Sequence, residues 1–383
     1  MPGPLTGVKI IEMAGMGPGP FCGMLLADMG ADVVRIERLM LGDRGIDFLP
    51  QFDLLNRGKR SVAIDLKSDE GRAALLTLIS QADALIEGFR PGVMERLGLG
   101  PAECLSNNPR LVYGRITGWG QEGPLAQAAG HDLNYVSLAG AVHSIGPAEG
   151  KPSVPLNLIG DFGGGALYLA MGLLAAIIEA RQSGKGQVVD AAMVDGVASL
   201  MTMQYALKQM GAWPGARGRN LLDGGAPFYD VYETSDGHYI SIAPVEGRFY
   251  KELLDRIGLK DDDLPAQNDP KGWDKVRQRL DIIFKSRSRL EWSGLLEGTD
   301  ACFAPVLDLM EATQHPHNVE RNVYAEIEGV VQPNPAPRFS RTRSTVSHGA
   351  PKVGANTKDV LADWGFPLEQ INDLQNKGFI AST

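Results

Sequence analysis

Three side chains, far apart along the chain, are of the types that move protons. They are His131 in Gly130-His131-Asp132-Leu133-Asn134-Tyr135, Asp161 in Asn157-Leu158-Ile159-Gly160-Asp161-Phe162, and Glu246 in Val245-Glu246-Gly247-Arg248. An imidazole and a carboxylate are the usual general acids and bases near neutrality. Each also has a plain structural reading. A lone His at a helix start is more often structural, an Asp ahead of a helix serves as an N-cap, and Glu246 could be a first-turn helix acid. After Asp161 comes Gly163-Gly164-Gly165. Glycines let backbone N–H groups approach a ligand, and a helix N-terminus favours negative charge. That run is the candidate donor set for a developing oxyanion.

A second group is cationic. Arg38 follows Asp32–Glu37, Lys67 follows Ile64-Asp65-Leu66, Arg90 lies in Glu87-Gly88-Phe89-Arg90-Pro91, and Arg96 lies a turn or two beyond. Open parallel sheets bind ligands beyond the carboxyl ends of their strands, so cations after successive strands suit a polyphosphate. Any one of them alone reads as a solvated surface charge. Two other motifs are decoys. Gly15-Met16-Gly17-Pro18-Gly19-Pro20 imitates a dinucleotide fingerprint, but Pro20 stands where Gly or Ala is wanted, and the two prolines remove backbone donors. Asp161-Phe162-Gly163 matches a kinase motif in letters only, without the accompanying catalytic and phosphate loops.

The elements that must position these residues alternate strand and helix. Val8–Glu12, Asp32–Glu37, Ser61–Asp65, Ala84–Glu87, Leu111–Ile116 and Gln187–Ala191 read as strands. Phe21–Met29 reads as a helix with Pro20 at its first position, and Ser68 caps a helix carrying Asp69 and Glu70. A helix is expected from Asp132 to His143. Another after the glycine run is apolar on every side and is expected to be buried. Repeated strand–helix units imply a parallel sheet covered on both faces. Pro227–Thr234 and His238–Ala243 flank Ser235-Asp236-Gly237, a hairpin signal. Val331–Val353 reads as an extended return strap, and a last helix spans about Asn356 to Trp364. The expected organisation is α/β: a large Rossmann-like domain over residues 1–190, completed by about 330–383, a linker helix over 191–220, and a smaller α+β domain over 221–325.

Composition narrows the function. The 383 residues carry a net charge of −9, which argues against a nucleic-acid surface. Cys22, Cys104 and Cys302 form no CxxC or disulfide framework and read as buried free thiols in a reducing compartment. The apolar run Ala166–Ile178 falls short of the ~20 residues that span a bilayer. With no secretory or peroxisomal signal in view, the expectation is a cytoplasmic protein without membrane insertion. Met193, Met201, Met203 and Met210 mark a methionine-rich stretch that either packs a core or floors a site for a varied apolar chain.

Taken together, GPLTGVKIIEMAGMGPGPFCGMLLADMGADVVRIER, DLKSDEG, RPGVMERLGLGP, TGWGQEGP, AGHDLNYVSL, PLNLIGDFGGG, SGKGQVVDAAMVDG, RGRNLLDGGAPFYDVYET, TDACFAPVL and PAPRFSRT resemble the alpha-methylacyl-CoA racemases of the family III CoA-transferase superfamily. The resemblance implies racemisation of 2-methyl-branched acyl-CoA thioesters by an interlocked homodimer, with no metal and no cofactor beyond the CoA of the substrate. It implies a catalytic pair at His131 and Asp161, with Glu246 of the partner subunit hydrogen-bonding the histidine. It implies CoA contacts at Arg38, Ile64, Asp65, Leu66, Lys67, Gly88, Phe89, Arg90, Arg96, Gly130, Asp132, Asn134 and Tyr135. One departure is Glu246-Gly247-Arg248, where the racemases usually read Glu-Pro-Gln. The rival is CoA transfer with Asp161 as nucleophile; those relatives commonly carry a Tyr followed by an acid at the position of His131-Asp132.

Overall fold

The computed structural model describes residues 3–39, 48–260 and 264–382. The chain divides into two compact units. One comprises Met1–Ala139, Leu156–Leu200 and Asn322–Thr383, the other Gly140–Pro155 and Met201–Arg321.

Six parallel strands organise the first unit: β1 (Lys9–Met13), β2 (Asp32–Glu37), β3 (Arg60–Ile64), β4 (Ala84–Glu87), β5 (Val112–Thr117) and β6 (Val188–Ala192). Their order is β3-β2-β1-β4-β5-β6, and Ile380–Ala381 adds an antiparallel edge beside β3. The central strands are Val- and Ile-rich because both faces are covered. Alternation sends neighbours to opposite sides. Ile11, Val34 and Leu85 pack with Leu75, Leu78 and Trp364, while Ile10, Val33 and Ile86 pack with Leu26, Leu169 and Leu173.

Helix α1 (Pro18–Asp28) places Pro18, not the expected Pro20, at its start. Helix α2 (Asp69–Ile79) is capped as expected, the Ser68 Oγ accepting the Gly71 N–H at 3.0 Å. Among the short helices that follow are α3 (Val93–Arg96) and α4 (Asp132–Leu138). The helix expected from Asp132 to His143 is broken after Leu138, where Gly140 adopts a φ of 84°, and Ala141–Ser144 forms a separate short helix.

Helix α5 differs from expectation in two ways. It runs over Leu158–Ser183, with Leu158–Ala166 wound as a π-helix, so the glycine run lies inside it and not ahead of it. The glycines are there for packing. A Cβ on Gly164 would sit 2.8 Å from the Val197 N, and one on Gly196 would sit 1.8 Å from the Gly164 O. The helix is also not buried all round. Leu169, Leu173 and Ile177 pack on the sheet, but Leu167, Met171 and Ile178 on its other side are 51%, 61% and 60% exposed. By length and apolarity alone it matches a bilayer-crossing helix; its packing in the sheet's core cluster is that of a core helix.

The second unit is α+β. Strands β7 (Asp230–Glu233) and β8 (Tyr239–Ile242) form the expected hairpin, and β9 (Phe303–Pro305) joins β8 as an unexpected third strand. Helix α6 (Gly247–Ile257) and the helices Trp273–Phe284 and Arg289–Leu296 bury Phe228, Tyr232, Phe284 and Trp292 with this sheet.

Candidate active site

The strand order reverses direction between β1 and β4, and the carboxyl ends of strands at such a point diverge to leave a crevice. A cavity of about 430 Å³ occupies that position. Its walls are the segments at the ends of three strands: Gly15–Pro20 after β1, Gly88–Pro91 after β4 and Thr117–Trp119 from the last residue of β5. Gly130, His131, Tyr135, Asp161 and Met193, the first of the methionine-rich stretch, are also in the lining. Everything that forms this cavity lies in the first unit.

His131 is the N-cap residue of α4, and its own N–H donates to the Asn134 Oδ1 at 3.0 Å. That turn leaves the imidazole exposed. The next residue, Asp132, points the other way and is buried. Its Oδ1 accepts the N–H groups of both Gly160 and Asp161 at 2.7 Å, which ties the start of α5 to the start of α4. Asp132 thereby sets the position of His131 relative to Asp161. Glycine is required at position 160, since a Cβ there would meet the Asp132 Oδ1 at 2.6 Å.

Burial raises the Asp161 carboxyl above the ordinary carboxylate range, and the charge of Asp132 adds to the shift; the Asn157 amide, 3.1 Å away, and His131 oppose it. A carboxylate so placed is a better base than a solvated one. Gly17, with φ at 66°, lies against it: a Cβ there would be 3.1 Å from the Asp161 Oδ2. Tyr135 donates its hydroxyl to the Gly130 carbonyl and meets the Trp119 ring edge-on at 4.7 Å.

The Gly15–Pro20 segment, the turn after β1 and the start of α1, rests on a buried ionic cluster. Lys59 Nζ donates to the Glu12 Oε2 at 2.7 Å, the Pro20 O at 2.9 Å and the Asn56 Oδ1 at 3.0 Å. Arg35 donates to the Glu12 Oε1 at 2.8 Å and reaches the Gly15 O at 3.4 Å. Burial lowers the Lys59 ammonium to about 8, against the pull of Glu12. Sequence reasoning marks neither this segment nor this cluster as part of a site. It reads the fingerprint-like glycines as a failed dinucleotide motif, although a turn between β1 and a helix is itself the signal.

The glycine run is not the oxyanion donor set. A π-helix pairs each N–H with the carbonyl five residues back, so Gly163, Gly164 and Gly165 spend theirs inside α5. The N–H groups of Gly160 and Asp161 are taken by Asp132.

Of the other residues chosen from the sequence, Gly88, Phe89 and Arg90 line the cavity. Arg38, Lys67 and Arg96 are exposed beyond β2, beyond β3 and at the end of α3, outside its lining. Ile64 is in the core, Leu66 packs against that core, and the Asp65 Oδ1 accepts the Lys67 N–H at 3.0 Å. Glu246, in the second unit, is the N-cap residue of α6 and not a first-turn acid; it is exposed, and its side chain caps no N–H. Among the described residues no group of three or more His, Cys, Asp or Glu is arranged to hold a metal ion.

Alpha-methylacyl-CoA racemase of Mus musculus is 43% identical over 380 residues, covering 99% of this chain and 98% of that protein. The Homo sapiens protein of the same name is 41% identical with the same coverage. The acetyl-CoA:oxalate CoA-transferase of Acetobacter aceti is 31% identical over 92% of the chain and 93% of its own length. Among solved structures, a CAIB/BAIF family protein from Brucella suis shares the fold, with a TM-score of 0.81 at 24% identity, covering 95% of this chain and all of that one. Rv3272 from M. tuberculosis aligns with a TM-score of 0.77 at 26% identity over 93% of this chain and 98% of its own. Residues 5–357 match CoA-transferase family III, and the chain belongs to that family.

Proposed function

We propose that this chain interconverts the R and S forms of 2-methyl-branched acyl-CoA thioesters by removing and returning the α-proton through an enolate. The observation that carries the reading is His131 and Asp161 on one cavity, in a chain more than 40% identical over nearly its whole length to proteins named alpha-methylacyl-CoA racemase. Inversion at carbon needs a base on one face and an acid on the other, and two different proton carriers supply both. The CoA is part of the substrate, and proton transfer calls for no redox group.

The pKa of a thioester α-proton lies roughly 13 units above that of the conjugate acid of a base near neutrality, so full transfer would cost on the order of 18 kcal/mol at about 1.36 per unit. A general base contributes only about 10²–10⁴-fold. Oriented donors must therefore stabilise the enolate. With the glycine run committed to its own helix, and the Asn134 N–H bonded to the His131 O at 2.8 Å, the N–H groups of Asp132 and Leu133 at the start of α4, beside His131, take that role. Asp161, lifted by burial, is ready to accept a proton from one face, and the exposed imidazole serves the other. Arg90, with Arg38, Lys67 and Arg96 beyond the cavity, holds the CoA phosphates. The backbone at Ile64, Asp65, Leu66, Gly88, Phe89, Gly130, Asp132 and Asn134 and the Tyr135 side chain shape the path to the thioester.

The reading includes a homodimer in which Glu246 of one subunit orients His131 of the other. The exposed apolar side of α5 supports it, because a contiguous apolar face on a single chain marks an interaction surface. The competing reading is CoA transfer with Asp161 attacking the thioester. His131→Ala and Asp161→Ala, assayed separately for inversion and for hydroxylamine trapping, decide between them. Racemisation predicts that each variant loses most of the inversion and that no acyl-Asp161 forms. An acyl group trapped on Asp161 in a His131→Ala protein that still moves CoA would overturn it.

A further inference from the structure

We propose that Glu87 is a positioning residue for the CoA portion of the ligand: its carboxylate, fixed beside Arg115, holds the Gly88–Arg90 turn in place, and proton uptake by Glu87 loosens that turn and weakens binding. The inference rests on the acyl-CoA reading of the cavity.

Glu87 is the last residue of β4 and is only 3% exposed. One carboxylate oxygen accepts the Phe89 N–H at 2.8 Å, closing the turn from which Phe89 and Arg90 line the cavity. The other lies 3.3 Å from the Arg115 Nε on β5. The same guanidinium pairs with Glu95 on α3 and donates to the Gln121 Oε1 at 2.7 Å. Arg115 thus gathers the ends of three segments: the turn after β4, helix α3 and the loop after β5. A packing role alone would not need a carboxylate here.

The charged groups that act on Glu87 come from β5, α3 and β6. Arg115 on β5 attracts its charge, while Glu95 on α3 and Asp190 on β6 repel it. The nearby Tyr113 donates its hydroxyl to the Leu99 O at 2.9 Å. Burial is the largest influence and brings the carboxyl up to about 7, against the Phe89 N–H and Arg115. The bond to Phe89 is charge-assisted when Glu87 is ionised and roughly half as strong when it is not. Arg115 then keeps Glu95 as its ionic partner, beside Gln121. Binding of an anionic ligand therefore strengthens as pH rises through the Glu87 midpoint. Direct repulsion between the carboxylate and the ligand phosphates has the opposite sign, and the adjacent guanidinium offsets it.

The test titrates free CoA onto the full chain by calorimetry between about pH 6 and about pH 8, for wild type and Glu87→Gln. The CoA phosphomonoester titrates near pH 6 itself, so the quantity read is the difference between the proteins. Across that range the affinity of wild type should rise about five- to tenfold more than that of Glu87→Gln, which should stay near the acid-side affinity of wild type. For 2-methylacyl-CoA the effect should fall on KM, with kcat keeping the same pH profile in both. Glu95→Gln, at an exposed position, provides a second variant that leaves Glu87 in place. Removing that charge should move the wild-type pH dependence to lower pH. Equal slopes in wild type and Glu87→Gln, a difference of opposite sign, or no displacement in Glu95→Gln would overturn the inference alone. Absence of CoA binding at every pH would overturn it together with the acyl-CoA reading.

Discussion

Gly17→Ala tests the geometry around Asp161 with one methyl group. Gly17 has φ 66° and ψ −114°, the first central conformation of a type II′ turn, which side-chain-bearing residues avoid. Forcing Ala into it costs about 1–3 kcal/mol. The new Cβ would also lie 3.1 Å from the Asp161 Oδ2 and 3.5 Å from its Cγ, so the carboxylate must retreat by a few tenths of an ångström. A misplacement of about 1 Å can cost on the order of 10²-fold in rate, so this smaller shift should cost about three- to tenfold in kcat. The control is Gly184→Ala at the end of α5, with φ 75° and nothing within 4 Å of its added methyl. Urea unfolding and racemisation kinetics are measured on both proteins. Both should lose stability, Gly17→Ala the more because Gly184 is in the left-handed region with open space around it, and Gly17→Ala alone should lose kcat. Because the equilibrium constant between enantiomers is fixed, its kcat/KM must fall by the same factor in both directions. Equal kcat in the two variants would refute the reasoning that Gly17 sets the Asp161 position.

Three further outcomes follow from the same geometry. Lys59→Met leaves Glu12 without one of its two buried cations and should cost about 3–5 kcal/mol in urea unfolding. Native Lys59 binds its proton more weakly than an unfolded lysine does, so wild-type stability should rise with pH between about 8 and the ordinary value of 10.5, and Lys59→Met should lack that rise. Alanine at Arg90 should weaken CoA binding, with a salt dependence shallower than that of wild type, and alanine at Arg38, Lys67 or Arg96 should do the same if the phosphates extend past the cavity; unchanged affinity in all four would remove this anion site. Mixed dimers of His131→Ala and Glu246→Ala chains should recover one working site of the two, and absence of recovery under conditions that restore wild type would place each site within a single chain.

Much of the first unit was legible in the sequence, because buried parallel strands are short Val- and Ile-rich runs whose period needs no tertiary information. β2 and β4 fall where Asp32–Glu37 and Ala84–Glu87 were expected, and the other four strands within one residue. The Ser68 cap was legible because its partner is three residues away. What failed depended on contacts made elsewhere. A Gly-Gly-Gly run reads locally as a helix break, yet Gly164 and Gly196 need one another's backbone to explain why it continues as a π-turn. The apolar circumference of α5 implied burial, but one sheet can cover only one side of a helix. β9 is three residues long and gains strand form only by pairing with β8. At the site, residue types singled out His131 and Asp161, whereas the parts that hold them were invisible: Asp132 reaching across to Gly160, Lys59 bonding the Pro20 carbonyl, Arg115 beside Glu87. Each joins segments remote in sequence, and no local pattern marks such a pairing.

The central claim is α-proton transfer at an acyl-CoA, and its most direct test is hydrogen isotope incorporation. Each enantiomer of a 2-methylacyl-CoA is incubated separately with the wild-type protein in D₂O, and the α-carbon is followed by NMR and mass spectrometry. Proton removal and return predicts that both enantiomers converge on the same mixture and that every inverted molecule carries one deuterium at the α-carbon. An α-carbon that keeps its hydrogen and its configuration, while CoA passes to an added carboxylic acid, would contradict it.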